Sequence, residues 1–149
     1  MSLVENKKVY FDYEITDTIE AGIELLGGEV KSLKAHQASL EGARVIIRGG
    51  EAYLIGMHIA PYQANNIKKD YDPDRNRRLL LGKKEIISLA LEEKSAHLTI
   101  VPISCYNKGT KIKVSLGLGR SKKKHDKRQT LKRRDDEREM SRVKKGLRE

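Results

Sequence analysis

The sequence is poor in the residues that build disulfide-linked or metal-stabilised folds. It contains one cysteine, Cys105, three prolines and no tryptophan among its 149 residues. A single cysteine excludes an internal disulfide and a cysteine-based zinc cluster. Cys105 stands among apolar neighbours and is predicted to be an ordinary strand residue. The four histidines are scattered without metal-ligand spacing, so we expect neither a metal nor a cofactor.

Long apolar runs and leader signals are also lacking. A membrane-spanning helix needs roughly 20 apolar residues, and no such run occurs. The first residues, Met-Ser-Leu-Val-Glu, show no apolar secretory region. We therefore expect a soluble, cytoplasmic protein that does not contact a membrane.

Recognisable catalytic motifs are absent as well. The sequence has no nucleophile elbow, phosphate-binding loop or dinucleotide fingerprint. The glycine pairs Gly27–Gly28 and Gly49–Gly50 are not predicted to begin helices, which argues against a phosphate cradle at either pair. We therefore expect a protein that is not an enzyme.

Positive charge is abundant and unevenly distributed. The chain carries a net charge of +10, and residues 119–149 hold 14 Lys/Arg against 6 Asp/Glu, or +8. Residues 1–118 carry only +2. A nearly neutral body with a basic tail favours nucleic acid or an anionic surface as partner. We predict two units: a body, 1–118, and a basic tail, 119–149, too polar to pack alone, which is disordered when free and helical when bound.

Alternating apolar residues predict a mainly β body. Strands are predicted at 8–15, 22–34, 43–48, 51–59, 97–106 and 110–118. Gly49–Gly50 is typical of a hairpin turn, and Pro102 indicates an edge strand or a bulge. An amphipathic helix is predicted over about 83–93, with Leu79–Leu81 leading into it. Six antiparallel strands with bulges and short helices indicate a small OB-like antiparallel β-barrel.

One stretch, residues 16–34, is predicted to organise the barrel. Asp17 followed by Glu20 is a capping-box pattern and predicts a helical turn near 16–21. The strand after it, 22–34, is interrupted by Gly27–Gly28, which indicates a bulge or a close backbone approach.

A basic stretch precedes the predicted helix. Residues 68–84 contain seven Lys/Arg against three Asp, inside or after a long polar connection at 62–78. Such a charge run is typical of a solvated surface. Tyr62 and Tyr71 lie nearby, and arginines that contact phosphates together with aromatic residues that meet bases are typical of RNA binding. Both interpretations stand on composition alone.

Ordered segments over almost the whole chain resemble the SmpB (SsrA-binding protein) family of bacterial trans-translation. The most specific is the run Lys123–Arg128, which ends in His-Asp-Lys-Arg just after the last predicted strand. The other matching segments are Asn6–Lys7, Phe11–Tyr13, Glu20–Gly22, Gly28–Leu33, His58–Tyr62, Arg75–Leu81, Glu85–Ile86, Pro102, Tyr106 and Gly109–Lys111. Lys34 stands where the family usually has arginine, which keeps the charge but loses the fork geometry.

This resemblance implies an OB-like barrel that binds the tRNA-like domain of tmRNA (SsrA RNA). It implies a non-enzymatic adaptor, expected to be a monomer, that enters stalled ribosomes at the decoding centre. The tail is implied to meet ribosomal RNA along the empty mRNA channel. The alternatives are a constitutive ribosomal or rRNA-binding structural protein and, less in keeping with the missing motifs, a nuclease.

The predicted RNA-binding residues combine charged, amide and small side chains on the body. They are Asn6, Lys7, Glu20, Gly22, Glu29, Lys31, Ser32, Asn65, Arg75, Arg77, Arg78, Leu80 and Lys111. The predicted ribosome-binding residues of the tail are Lys122, Lys123, Lys124, His125, Asp126, Lys127, Arg128, Arg142 and Val143.

Three of these predictions carry an explicit alternative. Glu20 and Glu29 either accept hydrogen bonds from base amines or a 2′-hydroxyl, or position neighbouring lysines, or form a surface pair near a bulge. Leu80 is of a type found more often in a core than at a contact. Replacing Arg75, Arg77 and Arg78 together with alanine is predicted to weaken RNA binding and to leave thermal unfolding nearly unchanged.

Overall fold

Strands dominate the structure, a computed structural model that describes residues 2–62, 70–122, Arg128, 131–134 and Arg138. Its elements, in chain order, are β1 (Ser2–Glu5), α1 (Val9–Asp12), β2 (Tyr13–Ile23), α2 (Gly27–Lys34), β3 (Ala38–Ser39), β4 (Arg44–Arg48), β5 (Glu51–Ile55), β6 (His58–Ile59), β7 (Arg77–Leu80), α3 (Lys83–Ser95), β8 (Thr99–Lys108) and β9 (Lys111–Ser121).

Six of the strands close into an antiparallel ring in the order β8, β4, β5, β7, β2, β9 and back to β8. β1 adds to the edge of β8, and β3 pairs with β6 in a separate two-stranded ribbon. The ring confirms the predicted mainly β, OB-like barrel with short helices. Its interior is filled by alternate strand residues such as Leu54, Ile100 and Leu116, together with Leu33 of α2 and Leu89 of α3.

The predicted hairpin turn and the predicted irregularity at Pro102 are confirmed. The β4–β5 hairpin turns at Gly49–Gly50, where both residues have positive φ (57° and 74°), a conformation that glycine adopts without strain. The β8–β9 hairpin turns at Gly109, and the register of β8 shifts at Pro102, as expected for a bulge. Helix α3 confirms the predicted helix and extends it to Ser95.

The predicted strand at 8–15 is wrong over Val9–Asp12, and the predicted helical turn near 16–21 is wrong. Val9–Asp12 form a short helix, and the strand runs from Tyr13 to Ile23. Asp17 accepts a hydrogen bond from the backbone of Thr18 at 2.8 Å and does not cap a helix. The long pairing of β2 with β9, from Tyr13 opposite Ser121 to Gly22 opposite Lys113, overrides the local capping signal.

The predicted bulged strand at 22–34 is wrong in its second half, because Gly27–Lys34 form helix α2. Gly27–Gly28 do begin a helix, contrary to the prediction. Glu29, the third helical residue, accepts the Leu26 N–H at 2.8 Å and so caps the helix. Leu79 likewise belongs to β7, not to the start of a helix, and the predicted strand 51–59 divides at Gly56 into β5 and β6.

The last barrel strand ends later than predicted. β9 continues to Ser121, and Lys122 N donates to Asp12 O at 2.8 Å. Beyond it, Arg128, residues 131–134 and Arg138 are α-helical and exposed. Whether the tail is disordered when free stays a prediction. Among the residues that the structure describes, no helix is long and apolar enough to span a membrane.

Candidate RNA interface

A groove of about 520 Å³ lies on the outside of the barrel, where β2, β7 and the β8–β9 hairpin approach α2. Its lining combines apolar side chains with three lysines, including Gly22, Leu25, Lys34, Leu80, Lys111 and Lys113. Three of the predicted RNA-binding residues, Gly22, Leu80 and Lys111, are thereby brought together although they are up to 89 positions apart in the chain.

Gly22 and Leu80 form the apolar floor of the groove. They pair directly across β2 and β7, and a Cβ added at Gly22 would lie 3.1 Å from the Leu80 Cβ. A larger residue at position 22 would therefore displace Leu80 from its place. Leu80 is 48% exposed, so it is a surface residue and the core alternative is wrong.

The lysines follow from strand alternation and from the end of a helix. Ile112 and Val114 of β9 face the interior, so Lys111 and Lys113 face outward. Lys34 is the last residue of α2, where a positive charge complements the helix dipole. The groove thus offers apolar surface beside three positive charges, a combination suited to a sugar–phosphate backbone.

Glu20 lies on β2 two residues before Gly22 and is exposed. Its carboxylate accepts one hydrogen bond from the Tyr106 hydroxyl and another from Lys108 Nζ, the latter at 3.0 Å. The bond to Tyr106, and then that to Lys108, lowers the pKa of Glu20. Burial and the same carboxylate raise the pKa of Tyr106 to about 12. Glu20 is therefore a fixed, ionised acceptor at the protein surface.

Beneath the surface, Glu29 is the centre of a buried ionic cluster. Its side chain is 1% exposed and accepts hydrogen bonds from Arg77 Nε at 2.8 Å, Arg75 Nε at 3.1 Å and the Tyr71 hydroxyl at 3.2 Å. Burial alone would raise the pKa of Glu29. The hydrogen bonds from Arg75, the Leu26 N–H and Arg77 together lower the pKa by more than burial raises it, so the net shift is downward.

Arg77 is completely buried and its donors are all occupied. Besides Glu29, it donates to the carbonyls of Met57 at 2.7 Å, Pro73 at 2.9 Å and Arg75 at 3.1 Å. A buried guanidinium is tolerated only with such complete pairing. The cluster thereby connects α2 and β7 with Met57, which precedes β6, and with Pro73, which precedes β7.

The buried position of Glu29 and Arg77 corrects two predictions. The alternative of a surface pair for Glu20 and Glu29 is wrong, because Glu29 is an interior helix residue. The expectation that replacing the three arginines leaves unfolding unchanged is no longer tenable, because Arg77 is fully buried. Ser32 is also fully buried and donates to Ala60 O at 2.6 Å.

The remaining predicted body residues occupy different parts of the surface. Asn6 is half-buried and its amide donates to Pro102 O at 3.0 Å, at the β8 bulge. Lys7 and Lys31 are exposed, with Lys31 Nζ 5.8 Å from the centre of the Tyr62 ring. Arg78 is exposed and donates to both carboxylate oxygens of Glu51.

Several predictions fall outside the described residues and are not located by the structure. They are Asn65 of the body and Lys123, Lys124, His125, Asp126, Lys127, Arg142 and Val143 of the tail. Lys122 and Arg128 are described. Within the described part of the chain, no group of three or more metal-ligating side chains is assembled.

Sequence reasoning missed two groove lysines and the role of Tyr71. Lys113 was recoverable, because it shares the outward face of a clearly alternating strand with Lys111. Lys34 stood out in the sequence only as a lysine where the family usually has arginine. The contact of Tyr71 with Glu29, 42 residues away, had no signal in the sequence.

Comparisons with known proteins agree on one family. The family model described as SmpB protein matches residues 3–146. The SsrA-binding protein of Gloeothece citriformis is 49% identical over 141 residues, which is 95% of this chain and 91% of that protein. That of Microcystis aeruginosa is 47% identical, covering 95% of this chain and 92% of its own.

A solved structure described as "tmRNA-SmpB: a journey to the center of the bacterial ribosome" contains a similar chain. It shares 43% identity and a TM-score of 0.66 and covers 80% of this chain and 84% of its own. The resemblance found in the sequence is thereby confirmed, and the chain belongs to the SmpB family.

Proposed function

We propose that this chain binds the tRNA-like domain of tmRNA and delivers it to stalled ribosomes for trans-translation. The observation that carries the proposal is the groove in which exposed Leu80 lies beside Lys34, Lys111 and Lys113, on the barrel of an SmpB family member. The names of the relatives, SsrA-binding protein, and the tmRNA–SmpB structure on the bacterial ribosome support the same partners.

The groove would hold structured RNA by shape and backbone contacts. Lysines at its rim meet phosphates, while the flat floor of Gly22 and Leu80 packs against a sugar or base. Glu20 stays ionised and retains acceptor capacity for a 2′-hydroxyl or a base amine, because each carboxylate oxygen has more than one lone pair. These contacts make and break no covalent bond, and the proposed role is that of an adaptor rather than an enzyme.

The buried members of the predicted site act indirectly in this proposal. Glu29, Ser32 and Arg77 have almost no exposed surface. Their hydrogen bonds fix α2 and β7, the elements that carry Lys34 and Leu80. We assign them to positioning the groove, and the RNA contacts to the exposed residues.

The tail completes the proposal. In the division we propose, the barrel body holds tmRNA, and the basic tail that follows β9 meets ribosomal RNA at the decoding centre and in the mRNA channel. The 14 positive charges of residues 119–149 favour this contact because phosphate neutralisation releases counterions. Both partners are cytoplasmic, and so is the proposed site of action.

One experiment with two variants tests both halves. Replacing Lys34, Lys111 and Lys113 with glutamine should weaken binding to the tRNA-like RNA and lower the slope of log affinity against log salt by about three. Removing residues 123–149 should leave that affinity within a few fold and abolish peptide tagging on stalled ribosomes.

The alternatives give different results. A constitutive ribosomal protein would sediment with all ribosomes and would not enrich tmRNA when the tagged chain is purified. Unchanged RNA affinity in the triple-lysine variant would remove the groove as the binding site, and normal tagging by the truncated chain would remove the role of the tail.

A further inference from the structure

The outer face of the β4–β5 hairpin carries an aromatic side chain between basic ones. Tyr53 pairs with Ile46 on one side and with Arg78 on the other, in one row across β4, β5 and β7. Arg44 and Arg48 stand two residues before and after Ile46 and point the same way. We call this surface, formed by Arg44, Ile46, Arg48, Tyr53 and Arg78, the hairpin face.

The hairpin face is turned away from the barrel interior. Val45, Ala52 and Leu54, the alternate residues of the same strands, are buried in the core. Ile46 and Tyr53 are only half-buried, and Arg44 and Arg48 are exposed. The Tyr53 ring and the Ile46 side chain therefore lie at the surface and do not belong to the hydrophobic core.

The charges on the hairpin face are differently engaged. Arg78 is held by Glu51, at 2.9 and 3.1 Å, and by Glu24 at 3.3 Å, and it is the cross-strand partner of Tyr53. In the part of the chain that the structure describes, neither Arg44 nor Arg48 forms an ion pair. Arg48 stands opposite Glu51 across β4 and β5, but Glu51 is paired with Arg78. Two arginines without an ion pair among the described residues, about 13 Å apart along the strand, therefore flank the aromatic ring.

The hairpin face is continuous with the groove. Arg78 and Leu80 lie on the same outward side of β7, two residues apart, so the floor of the groove and the Tyr53 row are adjacent. We propose that the RNA bound in the groove continues across β7 and stacks one unpaired base on Tyr53, with Arg44 and Arg48 contacting the flanking phosphates.

The chemistry of the surface favours RNA over a protein partner. Stacking on an aromatic ring accepts any base, and nearby arginines neutralise the backbone or stack in turn. A protein partner would require acidic groups opposite Arg44 and Arg48 and would gain little from a single half-buried ring. The base must be unpaired, because a base inside a duplex does not expose its face. This inference rests on the proposed function of the groove.

A tryptophan reporter tests the stack directly. The chain contains no tryptophan, so Tyr53→Trp creates a single emitting indole. Titration with a transcript of the tRNA-like domain should quench its emission in step with binding. Ile87→Trp, at an exposed position on α3, is the matched control and should not change.

The result separates this inference from the function on which it rests. Full binding of the RNA, followed independently by filter retention, with unchanged Tyr53→Trp emission would overturn the inference and leave the function intact. Absence of binding by wild-type chain would instead refute the function of the groove.

Affinity measurements on further variants then separate the contribution of the Tyr53 ring from that of the two arginines. Tyr53→Leu should weaken binding about tenfold, within the range for one lost base stack, whereas Tyr53→Phe should retain it. Arg44→Gln with Arg48→Gln should lower the salt slope by about two, and Lys94→Gln, on α3, should leave it unchanged. Equal losses in the leucine and phenylalanine variants would contradict stacking, since phenylalanine keeps the ring.

Discussion

Two neighbouring arginines of β7 have opposite environments. Arg77 points inward, is fully buried and donates to Glu29 and three carbonyls. Arg78 points outward, has a side chain 43% exposed and pairs with Glu51 and Glu24 at the surface. Because successive side chains of a strand point to opposite faces, a run of charged residues that forms a strand places some charges in the interior and others at the surface.

The same division separates the two predicted carboxylates. Glu29 is an interior acceptor that joins α2 to β7, whereas Glu20 stands at the surface, held by Tyr106 and Lys108. Both have a lowered pKa, but for Glu29 the hydrogen bonds must first overcome burial. Both carboxylates thus favour the ionised form, but that of Glu29 stabilises the fold, whereas that of Glu20 is an acceptor accessible at the surface.

The largest expected effect is that of Arg77→Ala. Its removal leaves Glu29 and several carbonyls buried with fewer donors, which costs about 3–5 kcal/mol for a broken buried pair. For a chain of this size we expect the melting temperature to fall by on the order of 10 °C. Calorimetry measures it. A melting temperature close to that of wild type would mean that the inner face of β7 is not structural.

A smaller and pH-dependent effect is expected for Glu29→Gln. Because the folded-state pKa of Glu29 lies below its unfolded value of about 4.3, the carboxylate adds stability above that value, and this stability is lost as pH falls through the folded pKa. The variant should therefore be less stable than wild type at pH 7, and the difference should shrink below about pH 4.

Urea unfolding at a series of pH values measures this difference. Glu20→Gln is the matched control, since its carboxylate lies at the surface and its loss should change stability little at any pH. A difference between wild type and Glu29→Gln that stays constant down to pH 3 would show that the pKa of Glu29 is the same in the folded and unfolded states, contrary to the downward shift.

The parts of the fold that local chemistry determines were predictable. Gly49–Gly50 and Gly109 adopt the positive φ that hairpin turns require, and the alternation of Ile112, Val114 and Leu116 marked β9. Leu80 and Lys111 were assigned to the site and lie together in the groove. Their contact with RNA stays a prediction.

What could not be predicted depends on contacts distant in sequence. The capping pattern of Asp17 and Glu20 is real as a local signal, but pairing of β2 with β9 outweighs it. Gly27–Gly28 had the local appearance of a break in a strand. The helix that they begin is held in place through Glu29, whose partners Arg75 and Arg77 are 46 and 48 residues away from it in the sequence. Burial of a charged residue has no signature in one sequence.

The smallest expected effect on stability is that of Arg78→Ala, although Arg78 makes more ion pairs than many surface residues. Hydrogen bonds from Arg78 to Glu51 raise the pKa of the guanidinium, but arginine is charged at neutral pH in any case, so this shift does not alter its state. All three side chains are partly solvated, and water replaces the lost partner.

The melting temperature of Arg78→Ala should stay within about 2 °C of wild type. In a double-mutant cycle with Glu51→Ala, the coupling should be close to zero. Strong coupling, or a loss as large as that of Arg77→Ala, would remove the distinction between the two faces of β7, because the outer pair would then hold the barrel together as the inner one does.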